Sequence, residues 1–196
     1  MKLYERLPDC VTVDGKTYRL DLDFRNVLRM IEILSRDDLI PTAREYLALK
    51  CVMRRPPKRG GAVLDELRKL LFPANRKADG KRLTSFEQDA DMIRAAFRQA
   101  YGIDLYRDNV HWTEFQALLS ALPEGSRYSE VLGIRAREMP PATKYNQAER
   151  EWLAKAKAAC ALEMSEDERD RAYAQGVKSV FAGLLAWAEG SEKKNA

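Results

Sequence analysis

The sequence has one histidine, His111, and three cysteines, Cys10, Cys51 and Cys160, among 196 residues. A lone histidine rules out a multi-histidine metal centre and a paired-histidine acid–base site. Three widely spaced cysteines with no C-x-x-C pair indicate neither a disulfide framework nor a zinc knuckle, so a reducing cytosol is the expected compartment. No apolar run approaches the ~18 residues of a membrane span. The opening MKLYERLPD has no signal-peptide core, so neither secretion nor membrane insertion is expected. Phosphate loops need a glycine-rich turn between strand and helix with a G-K-[ST] end. Gly60-Gly61 follow a helical stretch and lead to no such end. No solenoid-length repeat is visible, and no catalytic, cofactor-binding or metal-binding set emerges.

What is present is ordinary for a soluble globular chain: 45% apolar and 33% charged residues, with a net charge of +4. The length suits one domain, or one domain with an appendage. The charge is unevenly placed. Residues 50–82 hold eleven basic and three acidic side chains, a local excess of eight that leaves the remainder at −4.

CVTVDGKTYRLDL alternates on both sides of Asp14-Gly15, which predicts a β-hairpin over residues 9–21. A lone hairpin is marginal in water, so it should lie on helices or meet another chain's edge. Beyond it the period turns helical. Asp23 caps a helix carrying Phe24, Val27, Leu28, Ile31 and Leu34; Pro41 opens a second that reaches about Met53; RRPPKRGG breaks it. Val63, Leu67, Leu70 and Leu71 mark a short third helix ended by Pro73. A fourth starts from a Ser85/Gln88 capping box, carries the stripe Phe86, Ala90, Ile93, Phe97, Ala100 and Tyr101, and stops at Gly102. Trp112, Phe115, Leu118, Leu119 and Leu122 define a fifth, and Tyr128, Val131 and Leu132 a sixth over 127–138. A seventh, 147–161, presents Trp152, Ala156, Ala159 and Cys160. The eighth, from Ser165 to Glu189, carries Tyr173, Val177, Val180, Phe181 and Leu184, and residues 190–196 form a loose tail. The expected fold is mainly all-α: a bundle of about eight helices with a small N-terminal hairpin.

His111, at a helix start beside Trp112, reads as a capping or structural residue rather than a general base, since no nucleophile motif accompanies it. Glu87, Asp89 and Asp91 resemble a cation-binding carboxylate cluster, but only Glu87 and Asp91 share a helix face; first-turn carboxylates also complement the helix dipole, the preferred reading. Two basic loops, Arg54, Arg55, Lys58 and Arg59, then Arg76, Lys77, Lys81 and Arg82, have the charge to contact phosphates. No aromatic is interleaved to stack bases, and no reader-module spacing stands out. Solvated loops or an acidic protein partner are therefore preferred to nucleic acid. Phe181, Leu184 and Trp187 make the last helix a candidate partner or self-association surface, as the hairpin edge also is.

FEQDADMIRAAFRQAYGIDL followed by VHWTEFQALLSALPE resembles the gene-product-fifteen family of tailed bacteriophages and prophages. The pattern is an acidic D-x-D-x-x-x-x-A-F helix, a Tyr-Gly-Ile-Asp-Leu link and His-Trp-x-x-Phe-x-x-Leu-Leu. Asp89, Asp91, Phe97, Tyr101, Gly102, Ile103, Asp104, Leu105, His111, Trp112, Phe115 and Leu118 fall on it. With YSEVLGIRAREMPPATK the resemblance spans residues 15–145. It implies a family domain over 1–145, with 146–189 a C-terminal helical pair free to pack on it. It further implies a tail morphogenesis protein, a chaperone in the host cytoplasm that binds the tape measure or another tail protein before the tube polymerises. The motif residues read as determinants of the fold, with no catalytic residue among them. The alternatives are a basic nucleic-acid-binding accessory protein using loops 54–59 and 76–82, and an enzyme of unrecognised type.

Overall fold

A computed structural model of the chain describes residues 4–72 and 82–163. Within them lie two strands, β1 (Cys10–Val13) and β2 (Lys16–Arg19), and seven helices: α1 (Phe24–Leu34), α2 (Pro41–Val52), α3 (Gly61–Leu71), α4 (Ala90–Tyr101), α5 (Trp112–Ser120), α6 (Arg127–Ala136) and α7 (Gln147–Ala159). The mainly helical architecture with its hairpin is as the sequence leads one to expect. The eighth helix, with Phe181, Leu184 and Trp187, lies outside the described residues, as do Arg76, Lys77 and Lys81.

The hairpin pairs antiparallel with Val11 opposite Tyr18, and its turn places Asp14 at φ 50° and Gly15 at φ 73°. Two consecutive positive φ values give the tight turn whose twist matches that of the strands. The hairpin does not stand alone. Val11 is buried, β1 packs on α3, and Asp21 N–H donates to Val52 O at 2.7 Å.

Asp23 caps α1 as expected, accepting from Arg25 N–H. Just before α1 and α5 the chain pairs with itself: Phe24 N–H donates to Val110 O at 2.9 Å, and Trp112 N–H to Leu22 O at 2.7 Å. This short bridge fixes both helix starts side by side. Phe24 then stacks on Phe115 (ring centroids 4.7 Å apart), and Phe97 stacks on the same ring at 5.3 Å. Trp112, Phe97 and Phe115 are each at most 1% exposed and form the centre of the core, with Val27, Met30, Leu49, Val52 and Leu67 around them. Trp112 also donates its indole N–H to Leu71 O at 3.3 Å, so its burial leaves no polar atom unpaired.

Three expectations need correction. First, α4 begins at Ala90, not near Ser85. Ser85 Oγ does accept from Gln88 N–H at 3.3 Å, but the answering bond to Ser85 N–H comes from Asp89 at 2.9 Å, because the Gln88 side chain is engaged elsewhere. Phe86 consequently sits in a turn at the edge of the core, 36% exposed, rather than within the buried stripe. Second, Asp89, at the start of α4, does more than complement the helix dipole; it is buried and ion-paired. Third, α7 buries Leu153 rather than the face of Trp152 and Ala159. Trp152 is 56% exposed, and Leu153 is buried where α7 lies on α6, beside a small cleft it lines with Gly133 and Ile134, outside the main core cluster.

Candidate interaction surface

The family-motif residues divide by role. Asp89 lies just before α4 and receives four donors: Arg135 Nη2 on Oδ1 at 2.8 Å, and on Oδ2 Arg135 Nη1 at 2.8 Å, Ser85 N–H at 2.9 Å and the Thr84 hydroxyl at 3.3 Å. Burial works against its charge, but the Arg135 guanidinium, the Ser85 amide and the Thr84 hydroxyl outweigh that cost and hold the carboxyl below its ordinary value. Arg135, on α6, also donates to Leu83 O at 2.9 Å and Cys160 O at 2.6 Å. One guanidinium thus ties together the entry to α4, helix α6 and the end of α7. Arg135 carried no sequence signal: its partner is 46 residues away, and a single sequence offers nothing to pair them.

Tyr101 donates to Leu118 O at 2.9 Å, joining α4 to α5. Gly102 ends α4 at φ 70°, the left-handed conformation its lack of a side chain permits. Asp104 folds the following loop, accepting from Tyr106 N–H at 3.1 Å and Arg98 at 2.6 Å while its own N–H donates to Asp108. Asp91 is exposed and pairs with Arg94 one turn on. Among the described residues, no three His, Cys, Asp or Glu side chains gather in a metal-holding cluster.

His111 caps α5 as expected. Its Nδ1 accepts from Thr113 N–H at 3.1 Å, so Nε2 carries the proton and donates to Pro8 O at 3.1 Å. It lines a polar cleft of about 530 Å³ with Asp21, Asp23, Arg25, Asn26, Arg29 and Asn109. The central charges there bind one another. Arg25 grips both oxygens of Asp23, at 2.8 and 2.9 Å, and extends to Asn109 Oδ1 at 2.6 Å. The Asp23 carboxyl is held low by Arg25 despite partial burial, and both nitrogens of His111 are engaged. The cleft is a brace between α1 and the loop before α5; no nucleophile–base pair stands in it.

The basic loop 54–59 is of a different character. Its ends are pinned: Met53 is buried and bonded to Leu49 O, Val52 O receives Asp21 N–H, and Gly60 O receives Leu64 N–H at 2.8 Å. Gly60 is itself buried and packs so closely on Leu49 that an added Cβ would lie 2.2 Å from its Cδ1, forcing the Leu49 side chain to move. Between these anchors Arg54, Arg55, Lys58 and Arg59 are all exposed, and no ion pair among the described residues engages any of them. The structure therefore brings these four cations together on a fixed loop. Arg82, of the second basic loop, is exposed but has a partner.

A second surface feature went unread in the sequence. Phe24, Leu28, Phe86, Ala90, Ile93, Leu105 and Phe115 line an apolar groove of about 240 Å³ beside α4, rimmed by Arg25 and by Arg94, whose guanidinium lies 4.1 Å from the centre of the Tyr106 ring.

Among known families, the model of the bacteriophage Gp15 protein family matches this chain over residues 3–162. The match extends beyond the 15–145 span read from the motif, taking in the hairpin and all of α7. No curated protein and no solved structure matches the chain.

Proposed function

The chain belongs to the bacteriophage Gp15 family and is a phage protein, and from that premise we propose that it acts in tail morphogenesis. In this reading it is an assembly chaperone that binds the long helical tape measure protein before the tail tube polymerises around it. The supporting observation is how the motif residues are used. Asp89, Phe97, Gly102, His111, Trp112 and Phe115 are committed to caps, an ion pair and the core, which is the pattern of a scaffold whose work is contact with another chain. The reading assigns no catalytic residue and no cofactor.

Co-expression with the neighbouring tape measure protein tests it. The expected result is a soluble tape measure that co-purifies with this chain at high salt, since contacts between helices are largely apolar and resist screening. If the tape measure precipitates whether or not this chain is present, the chaperone role is lost.

A second reading rests on the four exposed cations of loop 54–59: a nucleic-acid-binding accessory protein. It predicts affinity that falls steeply with salt, by a slope of about 0.9 per phosphate neutralised on duplex DNA. Changing Arg54, Arg55, Lys58 and Arg59 together to glutamine should then abolish both the binding and its slope. Retention of nuclease-sensitive nucleic acid by the wild type, lost in that variant, would favour this reading over the first.

A further inference from the structure

Antiparallel strands turn the backbone groups of alternate residues toward each other and those of the residues between them away. Leu20 N–H donates to Asp9 O at 2.7 Å, so the even-numbered residues of β2 face β1, while Thr17 and Arg19 present N–H and C=O on the outer side. Asp21, next in the odd-numbered series, confirms the direction, since its N–H reaches outward to Val52 O at 2.7 Å. Among the described residues no backbone hydrogen bond fills the outer edge at Thr17 or Arg19. β1 packs on α3, whereas β2 has no comparable contact with any helix.

Two residues, each with one donor and one acceptor, set two positions apart, match the ladder of an extended peptide. A DNA backbone would offer acceptors to the two N–H groups but no donors to the two carbonyls.

The charges choose which peptide. Lys16 and Arg19 are exposed, and no ion pair among the described residues engages either. The bond from Asp21 to Val52 brings the start of loop 54–59 to the end of this same edge, where Arg54 and Arg55 are exposed just beyond the buried Met53. Arg19 lies two residues before Asp21 and Arg54 two after Val52. At up to ~3.6 Å per residue, both fall within the ~26–29 Å of an extended peptide of about eight residues. The one carboxylate within residues 16–21 is Asp21, which accepts from Asp23 N–H at 3.3 Å. A second copy of the chain is a poor occupant, because β2 against β2 would bring the Lys16 and Arg19 of both copies together, and facing like charges destabilise a ladder.

We propose that the outer edge of β2 receives an extended acidic segment of a partner protein, which adds as a third strand on Thr17 and Arg19 and runs toward Arg54 and Arg55. An acidic residue opposite Arg19 lies on the exposed face of the hairpin, the face on which the Thr12 and Thr17 hydroxyls bond at 3.2 Å. This strand contact is separate from the helical contact read for the tape measure and stands whether or not that reading holds.

The test titrates the full chain, labelled with nitrogen-15, with a capped peptide of about eight residues alternating glutamate and valine, and with the counterpart in which lysine replaces glutamate. Amide hydrogen exchange then reads the edge residue by residue. At saturating glutamate peptide, exchange at Thr17 and Arg19 should slow by about tenfold or more, while Tyr18, already directed at β1, stays unchanged. N-methylation of alternate peptide amides should abolish the effect in one phase and spare it in the other, since only one set of amides faces β2. Changing Arg19, Arg54 and Arg55 together to glutamine should weaken the peptide about tenfold without moving the unfolding midpoint. Equal protection by the lysine peptide, unchanged exchange at Thr17 and Arg19, or indifference to N-methylation in both phases would each overturn the proposal. A single-stranded oligonucleotide that binds where the glutamate peptide does not would also overturn it, and would give the patch to nucleic acid.

Discussion

Substituting Asp89 by alanine deletes the carboxylate and leaves the Arg135 guanidinium, 9% exposed in its side chain, with Nη1 and Nη2 deprived of their charged acceptor. Breaking a buried ion pair from one side costs ~3–5 kcal/mol, because the remaining charge stays desolvated without compensation. The Ser85 amide, also buried, loses its acceptor in the same step. At ~2–4 °C per kcal/mol for a chain of this size, the midpoint of thermal unfolding should fall by about 6–20 °C. Circular dichroism melts of the full chain at pH 7 read this directly. The milder Asp89→Asn, which keeps the shape and one acceptor oxygen, should cost ~1.5–3 kcal/mol, the worth of hydrogen bonds to a charged group. The pH dependence supplies an independent check. A carboxyl whose pKa is lower in the folded than in the unfolded chain stabilises fully above the unfolded value, ~3.9 for Asp, and that stabilisation is lost as pH falls through the folded value. The gap between wild type and Asp89→Asn should therefore be constant above about pH 5 and narrow below about pH 4. A drop of under 2 °C for Asp89→Ala, or a gap that widens in acid, would refute the assignment of this pair as the tie between α4, α6 and α7.

Other substitutions probe the remaining devices. Gly60→Ala forces a methyl against the fully buried Leu49 and should cost ~1–3 kcal/mol in a denaturant melt, whereas Gly102→Ala meets open space and should lose only the ~1–2 kcal/mol of a left-handed backbone. A loss below about 1 kcal/mol at Gly60, or above about 2 kcal/mol at Gly102, would contradict this division. His111→Ala removes the cap of α5 and the tie to Pro8, for ~0.5–2 kcal/mol, with His111→Asn restoring most of the cap. No recovery with asparagine would show that the ring packs rather than caps. Changing Arg54, Arg55, Lys58 and Arg59 to glutamine should leave unfolding within about 0.5 kcal/mol per site, since none of them is paired among the described residues. A larger loss would expose a structural role for the loop.

Local signals were the legible ones. Asp14-Gly15, Asp23, Pro41, Gly102 and His111 each act over a few residues, and each does what its chemistry dictates at that range. The face of Phe97, Trp112 and Phe115 was legible as well, because helical periodicity alone separates inside from outside on a strongly amphipathic element. The misreadings involve distance. Asp89 has the look of a first-turn carboxylate until Arg135 arrives from α6, and Gln88 of a capping-box partner until Glu163 claims its amide. On α7 the two candidate faces differ by one residue, Trp152 or Leu153. Size favours the first, and the structure buries the second. The groove beside α4 is built from α1, the turn before α4, α4 itself, the 105–106 loop and α5, so no single window of sequence contains it.

Where the motif residues sit also constrains where recognition occurs. A pattern spent on Asp89, Phe97, Gly102, His111, Trp112 and Phe115 specifies the packing of α4 and α5 and supplies little to an external partner, since those that are buried cannot be touched and His111 has both nitrogens engaged. On the reading proposed above, the surfaces that the described residues offer a partner include loop 54–59 with its four exposed cations and the groove rimmed by Arg25 and Arg94. The two differ in physical character. Contacts at the loop are electrostatic, accelerate encounter and fade with salt; contacts at the groove bury aromatic surface and persist. A partner that leaves in high salt is therefore held at the loop. One that stays in high salt but is lost when Phe86 is changed to serine is held at the groove.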